Sequence, residues 1–320
     1  MRAFFTSISI GLLLLCSSSY AAEAIEQASI LDTPAGKIVG TLMLPKLEGR
    51  MPVAVIVAGS GPTDRNGNSN VLPGPNNSLK QLAQALADAG IASVRYDKRG
   101  IAASALAGPV ESALRFDFYV DDAAAWLQKM QQDSRFSSVA IIGHSEGSLI
   151  SMIAARQAKA DAYVSIAGPA ESASQLLRRQ LKPRLQGELA TENERILTAL
   201  EHGSTADNVP PALNTLYRPS VQPYLISWFK YSPSAELAKL DMPVLILQGT
   251  TDIQVPVTEA EALKKAKPSA TLAIVQGMNH VMKIVPADRE QQMMSYSNPQ
   301  LPLAPELSDV LVKFLKSNLK

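Results

Sequence analysis

Residues 139–150 read VAIIGHSEGSLI, and this stretch decides the fold of the chain. Its first four residues are apolar, as in a strand that is buried on both faces of a parallel sheet. The apolar residues from Leu149 onward have the spacing of a helix. Between strand and helix lies GHSEG, residues 143–147, which matches the pattern G-x-S-x-G. This order of strand, tight turn and helix is the context in which the pentapeptide carries chemistry.

The same alternation of strands and helices extends outward from this stretch in both directions. Further strands are indicated over residues 27–45 (two strands around a turn), 53–58, 91–96, 162–167, 243–248 and 271–275. Helices are indicated from Ser78, a candidate N-cap, to Gly90, through residues 120–130, near 257–267 and through 307–314. Strands that alternate with helices of this length predict βαβ units. The expected fold class is α/β, with a mostly parallel central sheet flanked by helices.

The alternation stops between residues 171 and 242, where no strand pattern is present. Thr191 and Glu194 form a capping-box pattern for a helix that ends near Gly203. Residues 221–231 indicate another helix. We therefore predict a helical lid at residues 171–242, inserted between two strands of a core formed by residues 22–170 and 243–320.

The first 21 residues have the composition of a secretory signal peptide. Arg2 is followed by an apolar stretch at residues 10–15 and a small-x-small site at residues 19–21. The apolar stretch is shorter than the roughly 20 residues that span a bilayer. We expect an exported protein, periplasmic or secreted, with no transmembrane segment in the mature chain. Lipidation of Cys16 is the alternative, although Leu15 is bulky where a small residue is expected.

The composition bounds the function further. At 320 residues, with 46% hydrophobic and 18% charged residues, the chain can form a globular protein with a sizeable core. Its 30 basic and 29 acidic residues leave no basic excess for nucleic acid. The sequence lacks paired metal-binding cysteines, a phosphate-binding loop and a dinucleotide fingerprint. We therefore predict no metal and no cofactor.

Ser145 is the predicted nucleophile. A serine in this tight turn needs small residues two positions away on either side, and a base to take its proton. The chain has three histidines. His144 lies beside the serine within the turn, and His202 ends a helix of the insertion. His280 follows the strand at residues 271–275 and is therefore the predicted base.

The acid that orients this base is expected at the end of a strand between serine and histidine. Asp252 follows the strand at residues 243–248 and fills that place. Asp241 is the rival, but it precedes the same strand and belongs to the opposite edge of the sheet. For the oxyanion hole we predict the backbone N–H groups of Glu146, after the nucleophile, and Ser60, after the strand at residues 53–58.

Taken in order, these motifs resemble the α/β-hydrolase superfamily, and within it lidded bacterial esterases and serine-aminopeptidase-like hydrolases. The matching segments are AGSGPTDR (58–65), RYDKRG (95–100), GHSEG (143–147), GTTD (249–252) and NH (279–280). Two departures stand out: Ala58 replaces the histidine of many relatives, and residues 101–102 lack a second glycine. Asp97 and Arg99 are expected to fix loops by ion pairing. Asp64 and Arg65 either shape the acyl pocket or pair with each other.

The resemblance implies hydrolysis of a small-molecule carboxylic ester through a Ser-His-Asp triad and an acyl-enzyme intermediate. An aminopeptidase is the alternative, with Glu146 as a candidate group for the substrate amine. A binding protein on the same fold is a third possibility, but it would be expected to have lost part of the triad. Apolar lid residues either line the acyl pocket or pack the lid onto the sheet: Leu213, Leu216, Tyr217, Leu225, Trp228 and Phe229.

Overall fold

The computed structural model describes residues 24–320, which fold around an eight-stranded sheet. The predicted signal peptide, residues 1–21, lies outside the described residues. The strands are β1 (Ile25–Thr33), β2 (Gly36–Leu44), β3 (Met51–Val57), β4 (Ala92–Tyr96), β5 (Phe136–His144), β6 (Ala162–Ile166), β7 (Val244–Gly249) and β8 (Thr271–Val275). Their spatial order is β1-β2-β4-β3-β5-β6-β7-β8. β2 is antiparallel to both neighbours, and the other pairs are parallel, which confirms the predicted fold class.

Helices cover both faces of this sheet. They are α1 (Ser78–Asp88), α2 (Phe116–Gln132), α3 (Glu146–Ala158), α4 (Ala173–Leu181), α5 (Gly187–Glu201), α6 (Asn214–Tyr217), α7 (Gln222–Phe229), α8 (Pro233–Ala238), α9 (Val257–Ala266), α10 (Arg289–Ser295) and α11 (Pro305–Asn318). Short 3-10 helices lie at Ala102–Ala107, Glu111–Ala113 and Pro211–Leu213. Over residues 24–320, no helix combines the length and the apolar character needed to cross a membrane.

The central strand β3 shows why an unbroken apolar run forms the middle of this sheet. Successive side chains of a strand point to opposite faces. Val53, Val55 and Val57 enter the core between the sheet and helices α2 and α3. Ala54 and Ile56 enter the second core, against α1 and α11. Each fully buried valine contributes roughly 1.5–3 kcal/mol relative to an exposed one.

Helices α4 to α8 lie between β6 and β7, where the sequence predicted an inserted lid at residues 171–242. The predicted capping box at Thr191 is wrong, because α5 already begins at Gly187. Gly187 has a φ of +56° and turns the chain into the helix one turn earlier. A capping box is instead formed by Ser172 and Gln175, at the start of α4. Movement of the insertion as a lid stays a prediction.

Candidate active site

The GHSEG turn joins β5 to α3 and places Ser145 in a strained conformation. Ser145 has φ 55° and ψ −122°, which costs a residue with a side chain of the order of 1–3 kcal/mol. A Cβ atom on Gly143 would lie 2.2 Å from the carbonyl oxygen of Gly147. A Cβ atom on Gly147 would lie 2.4 Å from the carbonyl oxygen of Val57. At both positions a side chain would collide with backbone atoms, so only glycine fits.

His280 and Asp252 form a hydrogen-bonded pair, with Nδ1 of the ring 2.8 Å from Oδ2 of the carboxylate. The backbone N–H groups of Gln254 and Val255 donate to the other carboxylate oxygen at 2.8 and 2.9 Å. The Gln248 amide donates to Oδ2 at 3.0 Å. Burial alone would raise the pKa of Asp252, but His280 and these hydrogen bonds outweigh it and hold the pKa below its usual value. The carboxylate is thus held ionised and immobile.

One cavity of about 830 Å³ contains all three predicted triad residues, Ser145, Asp252 and His280, in its wall. They come from the carboxyl ends of β5, β7 and β8, where open α/β sheets bind their ligands. Asp241, the rival acid, is exposed and lies before β7 at the opposite edge. The nitrogen of His280 that is not bonded to Asp252 is Nε2. This is the nitrogen that is available to a serine hydroxyl.

Both predicted oxyanion donors lie next to the nucleophile. Ser60 is in the cavity wall, and Glu146 is the first residue of α3. A Cβ atom on Gly59 would lie 3.1 Å from the Cβ atom of Ser145, so the loop that carries Ser60 passes directly beside the nucleophile. Neither amide donates a hydrogen bond to another residue in the described part of the chain. Two free N–H groups at this position can stabilise an oxyanion.

The Glu146 side chain, in contrast, is not available to a substrate. Its carboxylate is buried and lies 2.9 Å from the ammonium group of Lys98. The hydroxyl of Tyr224, on α7, donates a hydrogen bond to its other oxygen. Glu146 is absent from the residues that line the cavity. The suggestion that Glu146 holds a substrate amine is therefore wrong, because a lysine 48 residues earlier already neutralises it.

His144 has a part in the site that the sequence did not reveal. Its Nε2 atom donates a hydrogen bond of 2.8 Å to the backbone carbonyl oxygen of His280. The two rings pack with their centroids 4.9 Å apart. Burial, and next the positive charge that His280 can carry, lower the pKa of His144 to about 4. His144 is thus a neutral donor at pH 7 that positions the histidine loop.

Asp64 and Arg65 have roles outside the cavity wall. The Arg65 guanidinium pairs with Asp97 at 2.5 Å, and Asp64 accepts hydrogen bonds from the amides of Asn66 and Asn68 at 2.8 and 2.9 Å. An ion pair between Asp64 and Arg65 is therefore wrong, and so is a direct place in the acyl pocket. The partner of Arg65 is a buried carboxylate just after β4, which ties the loop after β3 to the sheet. This contact agrees with the expectation that Asp97 fixes a loop by ion pairing.

The apolar side of the cavity comes from segments that the sequence did not single out. Val71, Ile253, Val281 and Met293 line it, and Met293 belongs to α10. The apolar residues of the insertion do not line this cavity. They belong to the core cluster beneath α7 or pack against it: Leu213, Leu216, Tyr217, Leu225, Trp228 and Phe229. Of the two alternatives for these residues, packing is the one that the contacts support.

Comparisons with known proteins agree with this architecture. A family model described as serine aminopeptidase, S33, matches residues 76–204. Est1E of Butyrivibrio proteoclasticus, solved with bound ferulic acid, has a TM-score of 0.62 at 16% identity, over 91% of this chain and 99% of that chain. XC6422 of Xanthomonas campestris, an α/β serine hydrolase without a lid, has a TM-score of 0.51 at 18% identity, over 92% and 95%.

The sheet order, the strained turn and the likeness to these solved structures show that the chain has the fold of the α/β-hydrolases. Within that class it is similar to esterase EstD of Thermotoga maritima, with 28% identity over 254 residues, 78% of this chain. The alignment spans 59% of the length of that relative.

Proposed function

We propose that the chain hydrolyses carboxylic esters, with Ser145 as nucleophile, His280 as general base and Asp252 as the group that orients the imidazole. The observation that carries this proposal is the 2.8 Å bond between His280 and Asp252 in the wall of the cavity that also contains Ser145. This combination supplies a base and the carboxylate that orients it, which a serine nucleophile needs. The similarity to an esterase supports the same reaction class.

In the proposed reaction, Oγ of Ser145 forms a bond to the ester carbonyl carbon while Nε2 of His280 takes its proton. The carbonyl oxygen becomes an oxyanion that accepts hydrogen bonds from the amides of Ser60 and Glu146. Collapse of this intermediate breaks the bond to the alcohol, which leaves with the proton from His280. A water molecule then attacks the acyl-enzyme by the same two steps and releases the carboxylic acid. No cofactor takes part.

The cavity supports a small ester with an apolar acyl group. Its volume of about 830 Å³ is within the usual range for small-molecule sites. Val71, Ile253 and Met293 give it an apolar side, and the loop at residues 59–63 gives it a polar side. We therefore propose that the acyl chain lies against the apolar side, with the ester carbonyl at Ser60.

An aminopeptidase is the second candidate, because the matching family model carries that description. Such an enzyme is expected to hold the substrate amine with a carboxylate. Asp252 is the only carboxylate among the described residues that line the cavity, and it is bound to His280. The electrostatics of the site therefore favour the ester. Turnover of aminoacyl arylamides above that of esters would reverse this order.

The test is hydrolysis of a short-to-long series of p-nitrophenyl esters by the purified protein and its Ser145→Ala variant. Removal of the Ser145 hydroxyl is expected to lower kcat by roughly a millionfold. Ser137→Ala is the matched control, because Ser137 lies at the other end of β5 and is exposed. Unchanged turnover in Ser145→Ala would exclude the mechanism. A folded wild-type protein that neither hydrolyses esters nor binds a fluorophosphonate would favour a non-catalytic binding role.

Export belongs to the same proposal. The composition of residues 1–21 supports cleavage by a signal peptidase after Ala21, and release into the periplasm or medium. Mass spectrometry of the protein isolated from cell fractions tests this directly. A mature chain that begins at Ala22 is expected. A chain that begins at a lipidated Cys16 would indicate a lipoprotein, and an intact Met1 in the cytosol would exclude export.

A further inference from the structure

A buried ion pair lies directly behind the catalytic turn. The Lys98 ammonium and the Glu146 carboxylate are 2.9 Å apart, and their side chains are only 2% and 3% exposed. Both charges have lost their hydration, and an apolar pair of the same size would often be at least as stable. Stability alone therefore does not explain why an ion pair is buried at this position.

Lys98 makes a second polar contact, which reaches the predicted oxyanion loop. Its Nζ atom donates a hydrogen bond of 2.6 Å to the carbonyl oxygen of Gly59. This carbonyl and the N–H of Ser60 belong to the same planar peptide unit, in which the two groups point in opposite directions. A cation that holds the carbonyl on one side therefore fixes the direction of the N–H on the other side. That side is the cavity wall, next to Ser145.

Glu146 provides the other end of the pair and also the second oxyanion donor. Its backbone N–H is the first of α3, while its side chain extends back to Lys98. One lysine thus contacts both segments whose amides are expected to bind the oxyanion. A chain of contacts therefore runs from the Gly59 carbonyl through Lys98 to the Glu146 carboxylate and links the two donor segments.

The insertion completes this arrangement through Tyr224. The Tyr224 hydroxyl donates to the Glu146 oxygen that Lys98 does not contact. The Tyr224 ring is buried against Phe116, Tyr119 and Trp228. Burial and the adjacent carboxylate raise the pKa of Tyr224 well above its usual value, so the hydroxyl keeps its proton. Lys98 also lies 4.9 Å from the centroid of the Tyr119 ring, a distance at which a cation–π contact is attractive.

We infer that Lys98 is the positioning residue of the oxyanion hole: through the Gly59 carbonyl and the Glu146 carboxylate it holds both donor amides, with Tyr224 as the contribution of the insertion. This inference rests on the proposed ester hydrolysis. It predicts that loss of Lys98 weakens binding of the tetrahedral state and leaves binding of the planar ester nearly unchanged.

The experiment compares Lys98→Met with wild type in kcat and KM on a p-nitrophenyl ester, and in the inhibition constant of a trifluoromethyl ketone. This ketone forms a bond to Oγ of Ser145, and its oxygen becomes a stable oxyanion. We expect kcat to fall and the inhibition constant to rise by the same factor, roughly 30- to 300-fold, close to the loss of one oxyanion donor. KM is expected to stay within about threefold of the wild-type value, because Lys98 does not contribute to binding of the planar ester.

Arg99→Met is the matched control for the loss of a buried cation. Arg99 is the next residue and forms its own buried pair with Asp122, at 2.7 Å, without contact to Gly59 or Glu146. A merely structural role predicts that both variants lower the melting temperature and that neither changes the affinity for the ketone. Only Lys98→Met is expected to lose this affinity.

Two further variants keep the inference testable if Lys98→Met does not fold. Lys98→Met with Glu146→Gln removes both charges and leaves no unpaired carboxylate, and the same loss of ketone affinity is expected. Tyr224→Phe removes one hydrogen bond, and a fall in kcat of about three- to tenfold is expected.

The outcomes separate this inference from the proposed function. Ester turnover and ketone affinity that stay near wild type in folded Lys98 variants would overturn the inference and leave the proposed hydrolysis intact. Equal losses in the Arg99→Met control would overturn it as well. A wild-type protein that hydrolyses no ester and forms no adduct with the ketone would overturn both.

Discussion

The imidazole of His144 donates a hydrogen bond of 2.8 Å to the backbone carbonyl oxygen of His280. The residue that precedes the nucleophile thus supports the residue that is proposed to activate it. This contact joins the end of β5 to the loop after β8, although β6 and β7 lie between these strands in the sheet. The serine and the histidine therefore cannot separate without breaking a buried hydrogen bond.

Replacement of His144 by leucine is expected to lower kcat/KM roughly 10- to 100-fold, because the loop that carries His280 loses its support. The carbonyl left without a donor should also lower the free energy of unfolding by about 1–3 kcal/mol. Ester kinetics and urea denaturation measure the two effects. His202→Leu is the control, because His202 is exposed and lies at the end of α5. Full activity in His144→Leu would show that the loop holds its position without this contact.

The lowered pKa of His144 makes stability depend on pH in a definite window. In the unfolded chain this histidine binds a proton below about pH 6.5, whereas in the folded chain it stays neutral down to about pH 4. Its contribution to stability is therefore complete above pH 6.5 and is lost as the pH falls towards 4.

We expect the free energy of unfolding to fall by up to roughly 3 kcal/mol across this window in wild type. In His144→Leu this part of the slope should be absent. Urea midpoints between pH 7.5 and pH 4 test the difference. The lowered pKa of Asp252 adds a separate loss that is centred below its ordinary value of 3.8, so most of it falls below this window. Equal slopes in both proteins would assign the effect to other groups.

Replacement of Asp252 by asparagine should lower kcat by roughly 10,000-fold, because the amide cannot hold the imidazole in the required tautomer. Asp241→Asn is the matched control, since Asp241 lies at the opposite end of β7 and is exposed. Both are measured with the same p-nitrophenyl ester. A large loss of kcat in Asp241→Asn, with little change in Asp252→Asn, would identify Asp241 as the acid and contradict the proposed triad.

Gly143→Ala is expected to destabilise the protein by more than about 4 kcal/mol, because its Cβ atom would lie 2.2 Å from a backbone oxygen that cannot move without distorting the turn. Chemical denaturation measures the loss where the variant is soluble. Gly203→Ala is the control: its Cβ meets nothing within 4 Å, but φ is +78°, so only roughly 1–2 kcal/mol of backbone strain is expected. Similar losses in the two variants would contradict the contact argument.

The fold could be predicted from the sequence because its signals are local. The apolar run of β3 and the strand–turn–helix pattern around Ser145 are both formed by residues only a few positions apart. The candidate triad could also be predicted from the sequence, because parallel strands bring their carboxyl ends to one edge of the sheet. The capping box at Thr191 failed because a glycine at 187 permits an earlier start of the helix.

Side-chain partners that are distant in sequence could not be predicted in the same way. Glu146 pairs with Lys98 and Tyr224, which are 48 and 78 positions away, and nothing near Glu146 in the sequence indicates either partner. Arg65 pairs with Asp97 across 32 positions, although Asp64 is its neighbour. The fold determines these pairs by bringing strand ends together, and a pattern of spacing cannot contain that information.

The bond from Tyr224 to Glu146 also bears on how a ligand enters the cavity. It fastens α7 to the helix that begins after the nucleophile, and the contact of Tyr224 with Tyr119 packs α7 against α2. Gln180, Pro183 and Arg184, in α4 and just after it, line the cavity, whereas no residue of α7 does. We therefore expect any movement of the insertion that widens the entrance to involve α4 and the residues that follow it rather than α7.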